Sequence, residues 1–383
     1  MYKRQGIADF VGGIIFAIAG FLKRPRKDFE VKKITVIELA HLGDVLAVTP
    51  ALNLLRKRFP DASITAVVSP WGRGILEGSP DLDEIVTYRA SWFDRIEKER
   101  FSLYETISFL RIMRRKRFDL GLDMRGDFRV ILLMWLCGIK KRAGYDFAGG
   151  KFLLTDIVSI DAEKRQDTHQ IDHNLNLVSS IGGGAGVEGH DRTLRIFYSE
   201  TDLARAEEFL KERGVLKSDF LIAVHLGSGL ASKCWPIERF ALLIEKLVEK
   251  GKTRIVLVGG PEEMPLVEKI GPSPLPKVIN AVGKTGVKQL AALLKRCDLF
   301  VGGDSAVMHV ASAAATPIVA IWGGHNKPSH WMPLGKEDIV IHKKVRCGPC
   351  GLKTCDDLKC LKLITVEDVL DALEKQMRRL SKT

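Results

Sequence analysis

The chain has 383 residues and a formal net charge of +12, because 59 Lys and Arg outnumber 47 Asp and Glu. Hydrophobic residues make up 46% and charged residues 28%, which excludes a wholly disordered chain and a polytopic membrane protein. Only 7 cysteines occur, so a secreted scaffold built on disulfides is also excluded. The positive charge favours an anionic partner, which is nucleic acid, a phosphate-bearing substrate or an acidic membrane surface.

The N-terminal segment, residues 1–30, differs from the rest of the chain. Residues 10–22 form an uncharged apolar run that is shorter than the about 20 residues needed to span a bilayer. The cations that follow this run are Lys23, Arg24, Arg26 and Lys27. We predict a helix that lies on a membrane surface, with its basic end on anionic headgroups. A helix packed on the protein's own body and a cleaved signal peptide are the alternatives.

Short β-rich runs alternate with amphipathic runs through the next part of the chain. Residues 34–39, 64–68 and 119–124 are typical of strands. Residues 45–59 are typical of a helix, with cations near its C-terminus where they suit the helix dipole. This alternation predicts βαβ units and a parallel sheet, so we predict an N-terminal Rossmann-like domain over residues 31–200.

The same α/β pattern restarts after residue 200. The predicted strands, each of which ends in glycine, are residues 220–227, 254–260, 278–283, 298–303 and 317–324. Predicted helices are residues 240–250, 287–296 and 305–315. We predict a second Rossmann-like domain over residues 201–364 and a C-terminal helix within residues 365–383. Thr365 and Asp368 form a capping box at the start of that helix.

Two common nucleotide fingerprints are missing from the sequence. The GKT triplets at 251–253 and 283–285 lack the earlier glycine of a P-loop, and no G-x-G-x-x-G follows the first strand. NTPase and dinucleotide dehydrogenase functions therefore lose their main support. No RNP, zinc-finger or helix-turn-helix signature supports nucleic acid as a partner.

Loops that follow strands carry the candidate chemistry, since open α/β sheets bind ligands at the carboxyl ends of their strands. In residues 41–50, Gly43 turns the chain and Asp44 stands at the N-cap position of a helix. Asp44 either caps this helix or supplies a carboxylate that accepts a proton from a substrate hydroxyl. The loop 225–236 holds Gly227, Ser228 and Lys233. It is either an anion site or a flexible surface loop.

A third loop, residues 302–317, runs into a helix of small residues. Asp304 or Ser305 caps this helix, and a helix N-terminus is suited to a pyrophosphate. His309 lies one turn into the helix, where it has either a packing role or a ligand role. The acceptor-side signal is weaker: Arg125 and Arg129, like the basic residues 140–142, either contact an anionic oligosaccharide or are solvated surface charges.

Four blocks stand in one order along the chain: LGDVLAVTPALNLLRKRFPDASI (42–64), HLGSGLASKCWPIERFALLIEKL, VLVGGPEE, and VGKTGVKQLAALLKRCDLFVGGDSAVMHVASAAATPIVAIWG. Together they resemble glycosyltransferase family 9, the ADP-heptose:lipopolysaccharide heptosyltransferase family, over about residues 33–373. The resemblance implies an α/β fold of GT-B type, with two Rossmann-like domains that face each other across a cleft. It also implies an inverting, metal-independent transfer of heptose from ADP-heptose to the lipopolysaccharide inner core.

The resemblance also implies roles for individual residues. Asp44 matches the catalytic base, and Lys233 matches a lysine near the donor phosphates. The implied donor-binding residues are Gly227, Ser228, Lys233, Glu263 at the ribose, Thr285 on the adenine side, Asp304, Ser305, Ala306 and His309. Ala306 departs from the glycine that many relatives carry in this segment. The implied partners are ADP-heptose, an anionic glycolipid acceptor and the inner face of the cytoplasmic membrane.

Four of the seven cysteines cluster within residues 347–360, as Cys347, Cys350, Cys355 and Cys360. Four thiols in a C-x2-C-x4-C-x4-C pattern are consistent with structural zinc or an Fe–S cluster, with disulfides, or with free thiols. The implied reaction requires no cofactor for catalysis, so any metal here is structural. His169 and His173 lie four apart on a predicted helix, a spacing that can bind zinc. No third ligand is near, so we expect a surface role instead.

Two other functions stay open at this point. A related family 9 enzyme that uses another nucleotide sugar would carry the same fold. A non-catalytic nucleotide- or glycan-binding module would also carry it, although it would not need both Asp44 and Lys233.

Overall fold

The structure, a computed structural model of the chain, describes residues 30–93, 102–147, 149–181, 187–249, 253–271 and 277–380. The described residues fall into two compact units that divide between Thr193 and Leu194. Each unit is built on one six-stranded sheet. The predicted membrane segment, residues 1–30, lies outside the described residues except for Glu30.

Unit 1 is a parallel sheet with connecting helices. Its strands are β1 (Lys33–Glu38), β2 (Ser63–Val68), β3 (Glu84–Thr87), β4 (Leu120–Asp123), β5 (Lys141–Tyr145) and β6 (Asp156–Val158). Its helices are α1 (Leu42–Arg58), α2 (Arg73–Leu76), α3 (Leu103–Lys116), α4 (Phe128–Leu136), α5 (Ala162–Arg165) and α6 (Gln170–Ser180). The strand order is β3-β2-β1-β4-β5-β6, and all neighbouring strands are parallel.

Unit 2 repeats this plan. Its strands are β7 (Phe220–His225), β8 (Thr253–Val258), β9 (Val278–Asn280), β10 (Leu299–Gly303), β11 (Ile318–Trp322) and β12 (Ile339–His342). Its helices are α7 (Glu200–Lys211), α8 (Ile237–Glu249), α9 (Met264–Ile270), α10 (Val287–Lys295), α11 (Ala306–Ala313), α12 (Pro328–Trp331), α13 (Lys359–Lys362) and α14 (Val366–Leu380). The strand order is β12-β11-β10-β7-β8-β9, again with parallel neighbours.

The central strands are buried along almost their whole length because helices cover both faces of each sheet. Every residue of β4, β10 and β11 is buried, as are all but the first residues of β1 and β7. Such continuous burial is expected of the strands of parallel sheets. The strand order reverses between β1 and β4 in unit 1 and between β10 and β7 in unit 2. Ligands bind at the carboxyl edge of such a reversal point, so the loops after these four strands are the expected ligand-binding loops.

The prediction that Asp44 is an N-cap residue is wrong. Helix α1 begins at Leu42, so His41 is the N-cap residue and Gly43 lies inside the helix rather than in a turn. Asp44 is the third helical residue, and its Oδ2 accepts a hydrogen bond from the His41 backbone N–H at 3.1 Å. An acidic side chain suits this position as well as the N-cap, because it satisfies a free N–H group and faces the positive end of the dipole.

The surface role expected for His169 and His173 is also wrong, because both side chains are buried. His169 is the N-cap residue of α6, and its Nδ1 accepts a hydrogen bond from the Ile171 N–H at 3.2 Å. His173 Nε2 lies 3.0 Å from the Arg165 carbonyl oxygen. Both rings therefore serve packing and capping.

The C-terminal helix begins as the capping box predicts. The Thr365 N–H donates to Asp368 Oδ2 at 2.9 Å, and the Asp368 N–H donates to Thr365 Oγ1 at 3.1 Å. Among the residues that the structure describes, no helix is both long enough and apolar enough to cross a bilayer.

Candidate active site

A buried ion pair lies at the reversal point of unit 2. Lys233, in the loop after β7, places its Nζ 2.6 Å from Oδ2 of Asp304, which follows β10. The side chains are 17% and 9% exposed. Ser228 Oγ donates to the Asp304 carbonyl oxygen at 2.9 Å, so the β7 loop is fixed to the β10 loop at two points. The structure thus brings together three of the predicted donor-binding residues.

Ser305 caps helix α11, as one of the two alternatives predicted. Its backbone is extended and its Oγ accepts the Met308 N–H at 3.3 Å. The N–H groups of the first helical turn, which include that of Ala306, have no acceptor inside the helix. His309 lies on the second turn and is buried, with its ring centroid 5.5 Å from that of Trp331. This helix start is therefore suited to hold an anion.

Glu263, after β8, is held close to the β7 and β8 loops. Its Oε1 lies 2.7 Å from Nε2 of His225, and its Oε2 accepts the Gly260 N–H at 2.8 Å. A Cβ at Gly227 would lie 2.3 Å from Oε1, and one at Gly259 would lie 2.0 Å from Oε2. A side chain at either position would therefore displace the Glu263 carboxylate from the place that it occupies.

Thr285 lies in the connection between β9 and α10, at the same carboxyl edge but at the outer end of the sheet. Its side chain is half-buried. The structure places Thr285 on the ligand-binding edge, three strands from the residues that follow β10.

In unit 1 the loops after β1 and β4 join through a second ion pair. Arg125 Nη1 lies 2.5 Å from Asp44 Oδ1, and the side chains are 35% and 12% exposed. The Asp44 carboxylate raises the pKa of the Arg125 guanidinium above its usual value. Since Oδ2 accepts the His41 N–H, both oxygens of Asp44 already have a partner. The predicted base and the predicted acceptor-binding arginine are therefore neighbours.

Two buried carboxyl groups lie behind this pair. Burial raises the pKa of Glu38, the last residue of β1, to about 8. Burial also raises the pKa of Asp123, the last residue of β4, to about 7. Asp123 accepts N–H groups of Arg125 at 3.1 Å and of Asp127 at 2.8 Å, which fixes the loop that carries the arginine.

Arg129, the second predicted acceptor residue, lies on the first turn of α4. It forms two hydrogen bonds with Asp127, from Nε at 2.9 Å and from Nη2 at 2.5 Å. Its guanidinium also lies over the rings of Trp92 and Phe93, 5.3 Å and 5.2 Å from their centroids. Arg125 stacks on the same Phe93 ring at 5.4 Å. The two arginines therefore belong to one cationic and aromatic surface of unit 1.

The four side chains of the cysteine cluster are not arranged around a common point in the described structure. Cys347 is exposed, Cys350 and Cys355 are half-buried and Cys360 is buried, and all seven cysteines are free thiols. Within the described ranges, no group of three or more His, Cys, Asp or Glu side chains is arranged to hold a metal ion. The structural metal and the disulfides considered from the sequence are thus unsupported.

The segment that carries the cysteines instead supports the Lys233 loop. Ser232 Oγ donates to the Leu352 carbonyl oxygen at 2.5 Å, and the Ser232 N–H donates to the Lys353 carbonyl oxygen at 3.2 Å. The Cys350 N–H donates to the Gly324 carbonyl oxygen at 3.0 Å. Lys233 is therefore positioned from one side by Asp304 and from the other by this segment.

Sequence reasoning missed three residues of the two edges: Glu38, Asp123 and His225. Each is a titratable side chain at the last position of a largely apolar strand. That position faces the ligand-binding edge, so the signal was present in the sequence.

Comparisons with known proteins bear on the family and the fold of the chain. The family model for glycosyltransferase family 9 (heptosyltransferase) matches residues 106–361. The chain is 25% identical to lipopolysaccharide heptosyltransferase 3 of Escherichia coli strain K12, over 87% of this chain and 94% of that protein. A family 9 glycosyl transferase from Veillonella parvula DSM 2008 superimposes with a TM-score of 0.78 at 27% identity, covering 92% of this chain and 99% of the other. An E. coli ADP-heptose LPS heptosyltransferase II gives a TM-score of 0.74 at 22% identity, covering 91% and 99%.

Two Rossmann-like units with parallel six-stranded sheets define a GT-B type fold, which the predicted α/β class anticipated. The chain belongs to glycosyltransferase family 9, the heptosyltransferase family, and is a glycosyltransferase.

Proposed function

We propose that this enzyme transfers heptose from ADP-heptose to an acceptor in the lipopolysaccharide inner core, with inversion at the anomeric carbon. The observation that carries the proposal is the convergence of Lys233, Glu263 and Ser305 on the reversal point of unit 2. A cation, a hydroxyl-binding carboxylate and a helix start are the groups that a nucleoside diphosphate requires. The relatives named for ADP-heptose and lipopolysaccharide support the donor and acceptor classes.

Unit 2 binds the donor in this proposal. Lys233 and the first turn of α11 hold the diphosphate, with Ser228, Asp304 and Ala306 shaping the loops around it. Glu263 accepts hydrogen bonds from ribose hydroxyls, and Gly227 gives it room to do so. Thr285 lies on the adenine side, and His309 supports the helix start. The positive charge of Lys233 and of the helix dipole stabilises the charge that grows on departing ADP, so the reaction needs no metal or other cofactor.

Unit 1 supplies the base. Asp44 takes the proton of the acceptor hydroxyl, and its ion pair with Arg125 determines when it can do so. An anionic group of the acceptor that binds Arg125, with help from Arg129, releases Oδ1 of Asp44 for the hydroxyl. Acceptor binding and activation of the base are thereby coupled, because one guanidinium serves both carboxylate and acceptor.

We also place the enzyme in the cytoplasm, at the inner face of the cytoplasmic membrane, where a glycolipid acceptor is accessible. Helix α3 supports this. Leu103, Ile107, Arg111 and Arg115 are exposed and follow at intervals of four, so they share one face of the helix. Beside them Tyr104 is 81% exposed. An apolar turn that leads into basic turns is typical of a helix that lies on an anionic bilayer.

Vesicle sedimentation tests this membrane contact. The double variant Tyr104→Glu, Ile107→Glu should bind phosphatidylglycerol vesicles at least about tenfold more weakly, since each apolar side chain buried is worth roughly 1.5–3 kcal/mol. Leu216→Glu, which changes an exposed leucine of unit 2, is the matched control. Equal binding of the two variants would contradict a role for α3.

The donor is tested by supplying purified enzyme with ADP-heptose or with other nucleotide sugars and detecting the extended acceptor by mass spectrometry. Product from ADP-heptose alone is expected. Product from another nucleotide sugar instead would correct the donor, and ADP binding without product from any donor would indicate a binding module.

A further inference from the structure

His225 connects two donor-site residues through opposite edges of its ring. It ends β7, is 2% exposed, and places Nε2 2.7 Å from Glu263 Oε1. Its Nδ1 lies 3.1 Å from Ser305 Oγ, the cap of α11. Glu263, His225 and Ser305 therefore form one buried hydrogen-bonded chain across the carboxyl ends of β8, β7 and β10.

The direction of the hydrogen bonds in this chain is fixed by chemistry. An ionised carboxylate only accepts, so His225 Nε2 carries a proton and donates it to Glu263. Ser305 Oγ already accepts the Met308 N–H at 3.3 Å. With a neutral ring, Nδ1 is an acceptor, and the single hydroxyl proton of Ser305 is used for His225. In that state Ser305 cannot donate to a ligand.

We propose that His225 is a positioning residue that takes up a proton when a nucleoside diphosphate binds at the start of α11. With the ring protonated, Nδ1–H donates to Ser305 Oγ, and the hydroxyl proton of Ser305 turns to a phosphate oxygen. When the ring takes up one proton from solvent, the Ser305 hydroxyl stops donating its hydrogen bond to His225 and donates it to the ligand instead. This inference rests on the proposed function of unit 2 as the donor-binding unit.

The charges around the ring favour this change. Glu263, from the β8 side, contacts the ring directly and stabilises its cation. Asp304, from the β10 side, is paired with Lys233 of the β7 loop. The Cys234 thiol of the β7 loop interacts electrostatically with the same Glu263 carboxylate. An added phosphate is negative, and so it too favours a protonated ring.

Calorimetry of ADP binding in two buffers of different ionisation enthalpy measures the protons exchanged. His225→Gln is the main variant, because the Gln amide can still donate to Glu263 but does not titrate. Wild type should take up about one proton more per ADP than this variant, and the difference cancels titration of ADP itself. The dissociation constant for ADP should therefore rise more steeply with pH in wild type than in the variant, by an extra factor of up to about ten per pH unit.

Two further variants complete the test. His190→Gln is a matched control, since His190 Nε2 lies 3.1 Å from Ser179 Oγ in unit 1, and its proton uptake should equal that of wild type. Ser305→Ala keeps His225 and Glu263 but removes the hydroxyl, so the extra proton uptake should disappear. Equal uptake by wild type, His225→Gln and Ser305→Ala would overturn the inference. Failure of wild type to bind ADP would instead overturn the proposed function.

Discussion

Lys233 has both a structural partner and a proposed ligand, and a pair of substitutions can separate these roles. Lys233→Met leaves Asp304, which is 9% exposed, as a buried carboxylate without its cation. Removing one partner of a buried ion pair costs about 3–5 kcal/mol, and the lower end applies because Lys233 is 17% exposed. The variant should also bind ADP poorly, since it lacks one charge-assisted hydrogen bond and gains repulsion from Asp304.

The double variant Lys233→Met, Asp304→Asn removes both charges. Thermal unfolding should show most of the lost stability restored, because no unpaired charge remains. ADP affinity should stay about 10- to 100-fold below wild type, as expected from roughly 1.5–3 kcal/mol for a hydrogen bond to a charged group. Calorimetry with ADP measures this directly. Wild-type affinity in the double variant would show that Lys233 serves only to neutralise Asp304, and would refute its role at the phosphates.

Three further predictions concern other parts of the two units. Burial raises the pKa of Glu38 from 4.5 to about 8, so its contribution to stability is present below pH 4.5 and is lost as the pH rises through 8. In wild type this group should lower the free energy of unfolding by up to about 1.4 kcal/mol per pH unit across that window, and Glu38→Gln should abolish this decline. Unfolding at several pH values measures the difference. Gly227→Ala should displace the Glu263 carboxylate and weaken ADP binding about tenfold, whereas Gly286→Ala, which has open space around it, should not; equal affinities would contradict the contact. Metal analysis should find no stoichiometric zinc or iron, and in a thiol titration Cys347 should react first because it is exposed. Bound metal that protects the thiols from reaction until it is removed would contradict the free-thiol state.

The sequence predicts the strands well because the sheets are covered on both faces. Runs such as residues 220–227 and 298–303 are apolar without alternation, and β7 and β10 lie within them. The start of α1 is harder to predict, since an aspartate suits both the N-cap and the third helical position. The sequence therefore could not decide which of these two helix positions Asp44 occupies.

Contacts between distant loops could not be predicted from local pattern. Arg125 and Asp44 are 81 positions apart, and their ion pair depends on the β1–β4 pairing and on the direction of both side chains. The same holds for His225 and Ser305, which are 80 positions apart. The sequence indicated which loops carry chemistry, but the partners within each loop follow from strand order.

The central claim is that Asp44 is the base of a heptose transfer whose donor is bound by unit 2. The most direct test is transfer by Asp44→Asn, measured beside ADP binding by the same protein sample. We predict that ADP binds with wild-type affinity while heptose transfer falls at least about a hundredfold, since general base catalysis typically contributes 10²–10⁴-fold. Transfer near the wild-type rate would show that Asp44 only accepts the His41 N–H at the start of α1 and pairs with Arg125, and would contradict the account.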